Sequence, residues 1–268
     1  MQTNQKHNSS SIIRLKANLP TGEYVQWVKL PVRETLIPQR VMISHPVLTD
    51  GKWFLSLPEM IVPMGGKRCE IDHQTVQGWR EEDGVWSYPP NALSSNGLYP
   101  GTVSATIRSK ADTVIFDLSM TNQDDKPWAN TMAWLCFNHH AAKAYYRAET
   151  FLRTTQGWEP TRLVAEYNSF AVRERLFSWF TDASQTAEHG IIATRVEEQG
   201  QPYVIAIAAQ GAVMLGQTTV WPCTDIGIGF GDLKPGETVT RRGRLYFLPG
   251  DLEDLWKIYQ QDFDLRVA

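Results

Sequence analysis

The sequence has few cysteines and no long apolar run. Cys69, Cys136 and Cys223 are the only three in 268 residues, and no two of them form a C-x-x-C pair. That spacing argues against a disulfide framework and against a zinc ribbon, and it favours reduced, buried thiols. No window approaches the roughly 20 apolar residues that a membrane-spanning helix needs. The sequence therefore predicts neither a disulfide scaffold nor a membrane partner.

A large net charge is also missing. The 26 Lys and Arg residues nearly balance the 29 Asp and Glu residues, giving a formal charge of -3. Such a chain has no general attraction for nucleic acid, which is not predicted as a partner. The N-terminal stretch MQTNQKHNSSS lacks the apolar segment of a signal peptide. We therefore expect a cytoplasmic protein, or a periplasmic or secreted one if a signal peptide has been removed.

Several catalytic signatures are absent. The chain has no GxGxxG or P-loop, no GxSxG elbow and no HExxH pair, so nucleotide chemistry and serine hydrolysis are disfavoured and no cofactor is implied. Aromatic residues, in contrast, are abundant, with ten Trp, nine Tyr and ten Phe. Aromatic side chains favour β-strands and form stacking surfaces for flat ligands.

The stretch from 225 to 250 gives the clearest indication of the fold. A Leu-Lys-Pro-Gly-Glu turn leads into a segment in which Leu245 and Phe247 fall on one side, with Arg242, Arg244 and Tyr246 on the other. A period of two after a Pro-Gly turn is typical of an antiparallel strand with one wet end and one buried end. The sequence therefore predicts an all-β protein.

Further strand candidates are short and are often separated by prolines, which favours a large antiparallel β-sandwich. Two apolar runs, at 131–137 and 203–208, predict central strands covered on both faces. The segment 63–100 is rich in Gly, Pro, Asn and Ser, so we expect long ordered loops with at most one hairpin. The remaining candidates are 24–30, 40–44, 53–57 and 113–120.

One amphipathic helix is predicted at the C-terminus. Asp251 is a good N-cap, and Leu252, Leu255, Trp256 and Tyr259 recur at helical spacing. We expect its apolar stripe to close one end of the sandwich. Residues 1–11 are polar and are predicted to be a disordered tail, and with no linker later in the chain, 12–268 are predicted to be a single domain.

Three segments carry a family resemblance. They are 64–68 (MGGKR) ahead of the Gly-Trp pair at 78–79, 115–128 (IFDLSMTNQDDKPW), and 217–247 with its Gln, Pro and LKPGE turn. In order and rough spacing they resemble the galactose-mutarotase-like family of β-sandwiches that handle sugars. The resemblance implies that fold, a saccharide partner and a sugar-binding cleft.

The chain departs from that family at the positions where catalysis is expected. Met64 replaces a His, Gln123 replaces a second His, and Gly216 stands where a carboxylate is expected just before Gln217. Opening a sugar ring requires proton exchange, and neither Met nor Gly can exchange protons. The fold can therefore be shared while the reaction differs.

A histidine pair is the strongest catalytic candidate. His139 and His140 follow the apolar run that ends at residue 137, so a core strand delivers two imidazoles to the end of the sheet. We predict His139, His140 and Tyr146 as acid and base groups, with Arg147 holding an anion. The alternative is a pair that only caps backbone carbonyls in a turn.

Other residues are candidates for saccharide binding. Arg173 and Arg175 fall on one strand face and could clasp an acidic sugar, or form an edge-strand ion pair instead. Trp79 and Trp221 could stack on a sugar ring, although Trp221 could equally plug the sandwich end. Asp225 could bind hydroxyls or act as a base.

These residues support three functional hypotheses. The first is a carbohydrate enzyme that performs epimerisation or β-elimination on a sugar or uronic acid by acid–base proton transfer. The second is a non-catalytic carbohydrate-binding or assembly module. The third is a metal-dependent enzyme in which His73 joins His139 or His140, although no metal is expected in the leading interpretation.

Overall fold

The computed structural model describes residues 13–18, 40–48, 51–63, 70–71, 77–94, 100–139, 142, 148–162, 176–180, 189–218 and 223–263. They contain seventeen strands and one helix. The strands are β1 (Arg14–Lys16), β2 (Arg40–Ser44), β3 (Lys52–Pro63), β4 (Glu70–Ile71), β5 (Arg80–Glu82), β6 (Val85–Ser94), β7 (Gly101–Lys110), β8 (Thr113–Asn122), β9 (Trp128–Asn138), β10 (Glu149–Thr154), β11 (Gly157–Pro160), β12 (Leu176–Phe180), β13 (Ile191–Glu198), β14 (Gln201–Ala209), β15 (Ala212–Thr218), β16 (Cys223–Leu233) and β17 (Thr238–Pro249), and the helix is α1 (Leu252–Asp262).

The strands form two antiparallel sheets. The seven-stranded sheet has the order β1-β2-β3-β9-β16-β15-β12, and the ten-stranded sheet has the order β11-β10-β13-β14-β17-β8-β7-β6-β4, with β5 paired to β6. Apolar residues from both sheets form one large buried cluster between them. The predicted all-β sandwich with a C-terminal helix is confirmed.

The two apolar runs are interior strands, as predicted. The run 131–137 lies in β9, which is the fourth of seven strands, and the run 203–208 lies in β14, between β13 and β17. The predicted alternation in β17 is also confirmed. Leu245 and Phe247 lie in the core between the sheets, whereas Tyr246 faces the other way and Arg242 is exposed.

The LKPGE turn is tied to the end of β8. Gly236 has a φ of +76°, which glycine adopts without steric cost, and its amide donates to the Asn122 carbonyl at 2.8 Å. The Asn122 side chain is fully buried and donates to the carbonyls of Lys126 and Leu233, both at 2.9 Å. Two of the segments behind the family resemblance are therefore joined by structural turn chemistry.

One expectation about a strand boundary is wrong. The strand predicted at 53–57 continues past Pro58 to Pro63, because a register shift between Ser56 and Met60 accommodates the proline. Within 63–100, β5 and β6 form the one hairpin that was allowed for, and β6 continues through two prolines with a register shift against β7. Residues 64–69, 72–76 and 95–99 lie outside the described residues, so the expected long loops stay a prediction. The predicted strand at 24–30 and the tail 1–11 lie outside the described residues, and the single-domain assignment stays a prediction.

The helix α1 begins as predicted but packs elsewhere. The Asp251 side chain accepts from the amides of Glu253 and Asp254, at 2.9 and 3.0 Å, as an N-cap. Leu255 and Tyr259 pack in a cluster on the outer side of the ten-stranded sheet, so the expectation that the stripe closes the sandwich end is wrong. The apolar side chains of β13, β14 and β17 that point away from the core need a cover, and α1 supplies it. This helix is too short to cross a membrane, and no other helix among the described residues could do so.

We predict that Leu255→Ala lowers the free energy of unfolding by about 3 kcal/mol, because it deletes a fully buried side chain at this interface. The matched control is Lys257→Ala, which truncates an exposed side chain on the same helix. Urea unfolding measures the free energy of unfolding of both variants. Equally small losses in the two variants would contradict the packing of α1 on the sheet.

Candidate functional site

One face of the seven-stranded sheet gathers polar and sulfur-bearing side chains. Side chains alternate between the two faces of a strand, and Phe137 of β9 and Ile226 of β16 lie in the core. Cys136, Asn138 and Asp225 therefore face the other way, and Asp225 is the direct cross-strand partner of Cys136. We call this surface the outer face and define it by Trp134, Cys136, Asn138, Cys223 and Asp225.

The outer face is buried although it points away from the core. The exposed fractions are 6% for Trp134 and Cys136, 7% for Asn138, and 4% for Cys223 and Asp225. Electrostatic interactions are stronger in such surroundings than in water, because the local dielectric is low. An interaction with the Asp225 carboxylate is therefore less screened by water than one with an exposed carboxylate, while its burial carries a desolvation cost.

Trp134 lies over two glycines, Gly227 on the adjacent strand β16 and Gly216 on β15, the next strand beyond it. A Cβ atom at Gly216 would be 2.9 Å from two carbons of the Trp134 ring, and one at Gly227 would be 3.2 Å from a third. The six-membered ring of the indole thus occupies the space that a side chain at 216 would take, and at 227 it shares that space with Met132, whose Sδ would be 2.6 Å from the new Cβ. Glycine at these positions is a packing requirement of the outer face.

Asp225 stands directly opposite Gly216 in the ladder between β15 and β16. A Cβ at residue 216 would lie 3.3 Å from the Asp225 Cβ. The family resemblance implies a carboxylate at position 216, where this chain has glycine. The register places the Asp225 carboxylate on the adjacent strand, beside that position.

Two thiols lie next to Asp225. Cys136 Sγ and Cys223 Sγ are 3.3 Å apart, and Asn138 Nδ2 donates to Cys223 Sγ, also at 3.3 Å. The hydrogen bond to Cys223, burial and the nearby carboxylates raise the pKa of Cys136 well above its usual value. The hydrogen bond from Cys136 lowers the pKa of Cys223, but burial and the carboxylates outweigh it and the pKa is raised. Both residues are reduced and buried, as predicted.

His139 lies on the core side of the sheet end. Its side chain is fully buried, and its Nε2 is 2.9 Å from Thr224 Oγ1. Its ring packs edge-on against the Phe137 ring, with the two ring centroids 4.6 Å apart. Burial lowers the pKa of His139 well below 6.5, so the imidazole is neutral at pH 7. Its backbone carbonyl accepts the Ala142 amide at 2.8 Å. The alternative, in which the histidine pair caps backbone carbonyls in a turn, stays a prediction.

The remaining predicted site residues are not brought together by the described structure. Trp79 is 3% exposed and packs in the core against Tyr88, with ring centroids 5.2 Å apart, so it is not on the outer face. Asp225 is on the outer face and His139 is on the opposite side. The other predicted residues, His73, His140, Tyr146, Arg147, Arg173, Arg175 and Trp221, lie outside the described residues, and their roles stay predictions.

Sequence reasoning missed the meeting of Cys136 with Cys223 and the position of Trp134. The two cysteines are 87 residues apart, and only the register of β9 against β16 brings them together. The signal that could have been used is a pair of glycines, Gly216 and Gly227, in two adjacent strands, because missing side chains leave room for a large ring.

No protein-family model and no curated protein matches the sequence. Among solved structures, a galactose mutarotase-like protein from Lactobacillus casei is 10% identical with a TM-score of 0.40, over 71% of this chain and 80% of that one. A galactose mutarotase related enzyme from Lactobacillus acidophilus is 8% identical with a TM-score of 0.40, over 79% and 95%. An α-galactosidase from Geobacillus stearothermophilus, in complex with stachyose, is 9% identical with a TM-score of 0.42, over 78% and 32%. The two mutarotase-like proteins belong to the group that the three sequence segments resemble.

We predict that Gly216→Ala destabilises the protein by about 1–3 kcal/mol, because the new methyl group meets the Trp134 ring. In a Trp134→Leu background the ring is absent, so adding Gly216→Ala should cost much less stability there than it costs in the native protein. A double-mutant cycle on free energies of unfolding measures this coupling. Strictly additive effects would mean that the ring does not lie over Gly216.

We also predict a pH dependence from His139. Because its pKa is lowered on folding, the unfolded chain binds a proton that the folded one does not, so stability is lost as pH falls below 6.5. His139→Gln should reduce the difference between the free energies of unfolding at pH 7.5 and pH 5.5 by about 1 kcal/mol. Burial also lowers the pKa of His45, so part of the pH dependence of stability should remain in the variant. An unchanged difference in the variant would contradict a neutral, buried His139.

Proposed function

We propose that the protein is carbohydrate-active and that the outer face holds the saccharide. The observation that carries the proposal is the buried carboxylate of Asp225, directly opposite Gly216 and within the same face as Asn138. The carbohydrate class comes from the sequence resemblance, which expects a carboxylate at residue 216. Carboxylate and amide groups side by side supply the acceptors and donors that sugar hydroxyls need.

The chemistry favoured by this arrangement is proton transfer on a sugar or uronic acid. A buried carboxylate can remove a proton from a hydroxyl or from a carbon next to a carboxyl group, and such steps lead to epimerisation or β-elimination. Since His139 is neutral and faces the core, Asp225 is the group that removes the first proton from the sugar. His140 or Tyr146 would be its acid–base partner, with Arg147, Arg173 or Arg175 neutralising a uronate, and Trp221 stacking on the ring.

His139 has a supporting part in this proposal. Its Nε2 is 2.9 Å from the hydroxyl of Thr224, the residue that precedes Asp225 on β16. Thr224 and Asp225 point to opposite faces of the strand. The imidazole thus fixes the backbone of β16 from the core side while the carboxylate faces the ligand.

The test is solvent exchange on a panel of hexoses, pentoses and uronic acids. Incubation in deuterated water, followed by NMR, reports deuterium entering a carbon–hydrogen position during epimerisation, and near-ultraviolet absorption reports the double bond formed by elimination. We predict turnover with the native protein and a loss of at least 100-fold in Asp225→Asn, because general acid–base groups contribute about 10²–10⁴ in rate. The matched control is Asp83→Asn, an exposed turn position, which should keep full activity. Full activity in Asp225→Asn would remove that residue from the reaction.

A non-catalytic carbohydrate-binding module is the second candidate. The replacement of the family's catalytic positions by Met64, Gln123 and Gly216 favours it. Saccharide binding detected by calorimetry, without exchange or elimination for any sugar in the panel, would select this candidate. If none of the sugars binds and none is turned over, the carbohydrate assignment itself is contradicted.

A further inference from the structure

Three residues that can ligate a metal meet on the outer face. Cys136 on β9 lies opposite Asp225 on β16. Cys223 lies two residues before Asp225 on β16, so the two side chains share a face. All three are buried. Their ligand atoms, two sulfurs and one carboxylate oxygen, lie within 4.8 Å of one another.

These separations suit a tetrahedral ion. Zinc bonds of about 2.3 Å to sulfur and 2.0 Å to oxygen place two sulfurs about 3.8 Å apart, and a sulfur and an oxygen about 3.5 Å apart. The two sulfurs are 3.3 Å apart, so each needs to move by only a few tenths of an ångström. Side-chain rotations of the cysteines can make this change, and the Asp225 oxygen already lies within 4.8 Å of both sulfurs.

A disulfide between the same cysteines fits less well. Cys136 pairs with Asp225 and Cys223 pairs with Asn138, so the two cysteines are diagonal neighbours in the ladder. Diagonal residues are typically about 7–8 Å apart, whereas disulfides join Cα atoms at about 4.4–6.8 Å. An ion that bridges the sulfurs does not require the strands to approach each other.

The surroundings also favour a cation. Asp225 places a carboxylate beside the two thiols. A cation bound by these three groups would stabilise the thiolates and displace their protons. Asn138 Nδ2 already donates to Cys223 Sγ, which is how a neighbouring group orients a metal ligand.

We propose that Cys136, Cys223 and Asp225 bind a zinc ion. Two thiolates and one carboxylate suit a borderline-soft divalent ion, whereas magnesium and calcium take oxygen ligands. Three protein ligands leave a fourth position, as in zinc sites that hold a water or a substrate oxygen. Asp225 can ligate the ion with one oxygen and accept a sugar hydroxyl with the other. The inference stands apart from saccharide binding, since its readouts concern the metal alone.

The experiment measures metal binding to the full chain. Protein stripped with a chelator is given a small excess of zinc, dialysed, and analysed for bound zinc. A parallel sample receives cobalt(II), which shows a thiolate-to-metal charge-transfer band only when sulfur is a ligand. We expect about one ion per chain and the cobalt band in the native protein and in Cys69→Ser, the matched control. Cys136→Ser and Cys223→Ser should lose both signals, and Asn138→Ala should weaken zinc binding by about 10-fold or more.

Folding of the variants does not decide the outcome. If a cysteine variant fails to fold, the native protein alone still tests the inference through its zinc content, its cobalt spectrum and a rise in Tm with zinc but not with magnesium. No retained zinc, no cobalt band, or full zinc retention in folded Cys136→Ser would overturn the proposal. A native mass lower by two hydrogens, with no bound metal, would show a disulfide and would overturn it as well.

Discussion

The register between β9 and β16 is the constraint on which the site depends. Antiparallel pairing with strict alternation puts Phe137 and Ile226 into the core and turns Cys136 and Asp225 to the other face. A slip of one residue would exchange the two sets, placing a carboxylate and a thiol in the apolar interior. Burial of the large apolar side chains therefore fixes the register, and the register in turn fixes the chemistry. Trp134 adds a second restraint, since its ring lies over Gly227 on β16 and over Gly216 on β15, the next strand beyond it.

The outer face combines burial with polarity, and this combination makes it the candidate site. Buried polar groups are stable only when they have partners, and here the amide of Asn138 serves one thiol while the two sulfurs lie in contact. Two thiols beside a carboxylate supply ligand atoms for a cation, and the carboxylate and the Asn138 amide supply hydrogen-bonding groups for hydroxyls. On the other side of the same strands, His139 is neutral and bonded to Thr224, which gives the strand end a rigid support.

Much of the architecture could be predicted from local patterns. Period-two alternation identified β17, and continuous apolar runs identified β9 and β14 as interior strands, because burial on both faces leaves a direct mark on composition. Proline misled the interpretation of β3 and β6, where register shifts let the strands continue. The site could be predicted from the sequence only in part. Asp225 was a candidate, but the contact between residues 136 and 223 depends on strand order and register, which no local stretch of sequence specifies. The helix was predicted correctly, yet its docking surface was not, because the amphipathic stripe does not specify its partner.

The most direct test of the account is a crystal structure of the protein grown with zinc and a panel of hexoses and uronic acids. The account predicts a saccharide bound on the outer face with a hydroxyl or carboxyl oxygen within hydrogen-bond distance of the Asp225 carboxylate, near Trp134. An ordered saccharide bound elsewhere, with the outer face covered by protein side chains alone, would contradict it.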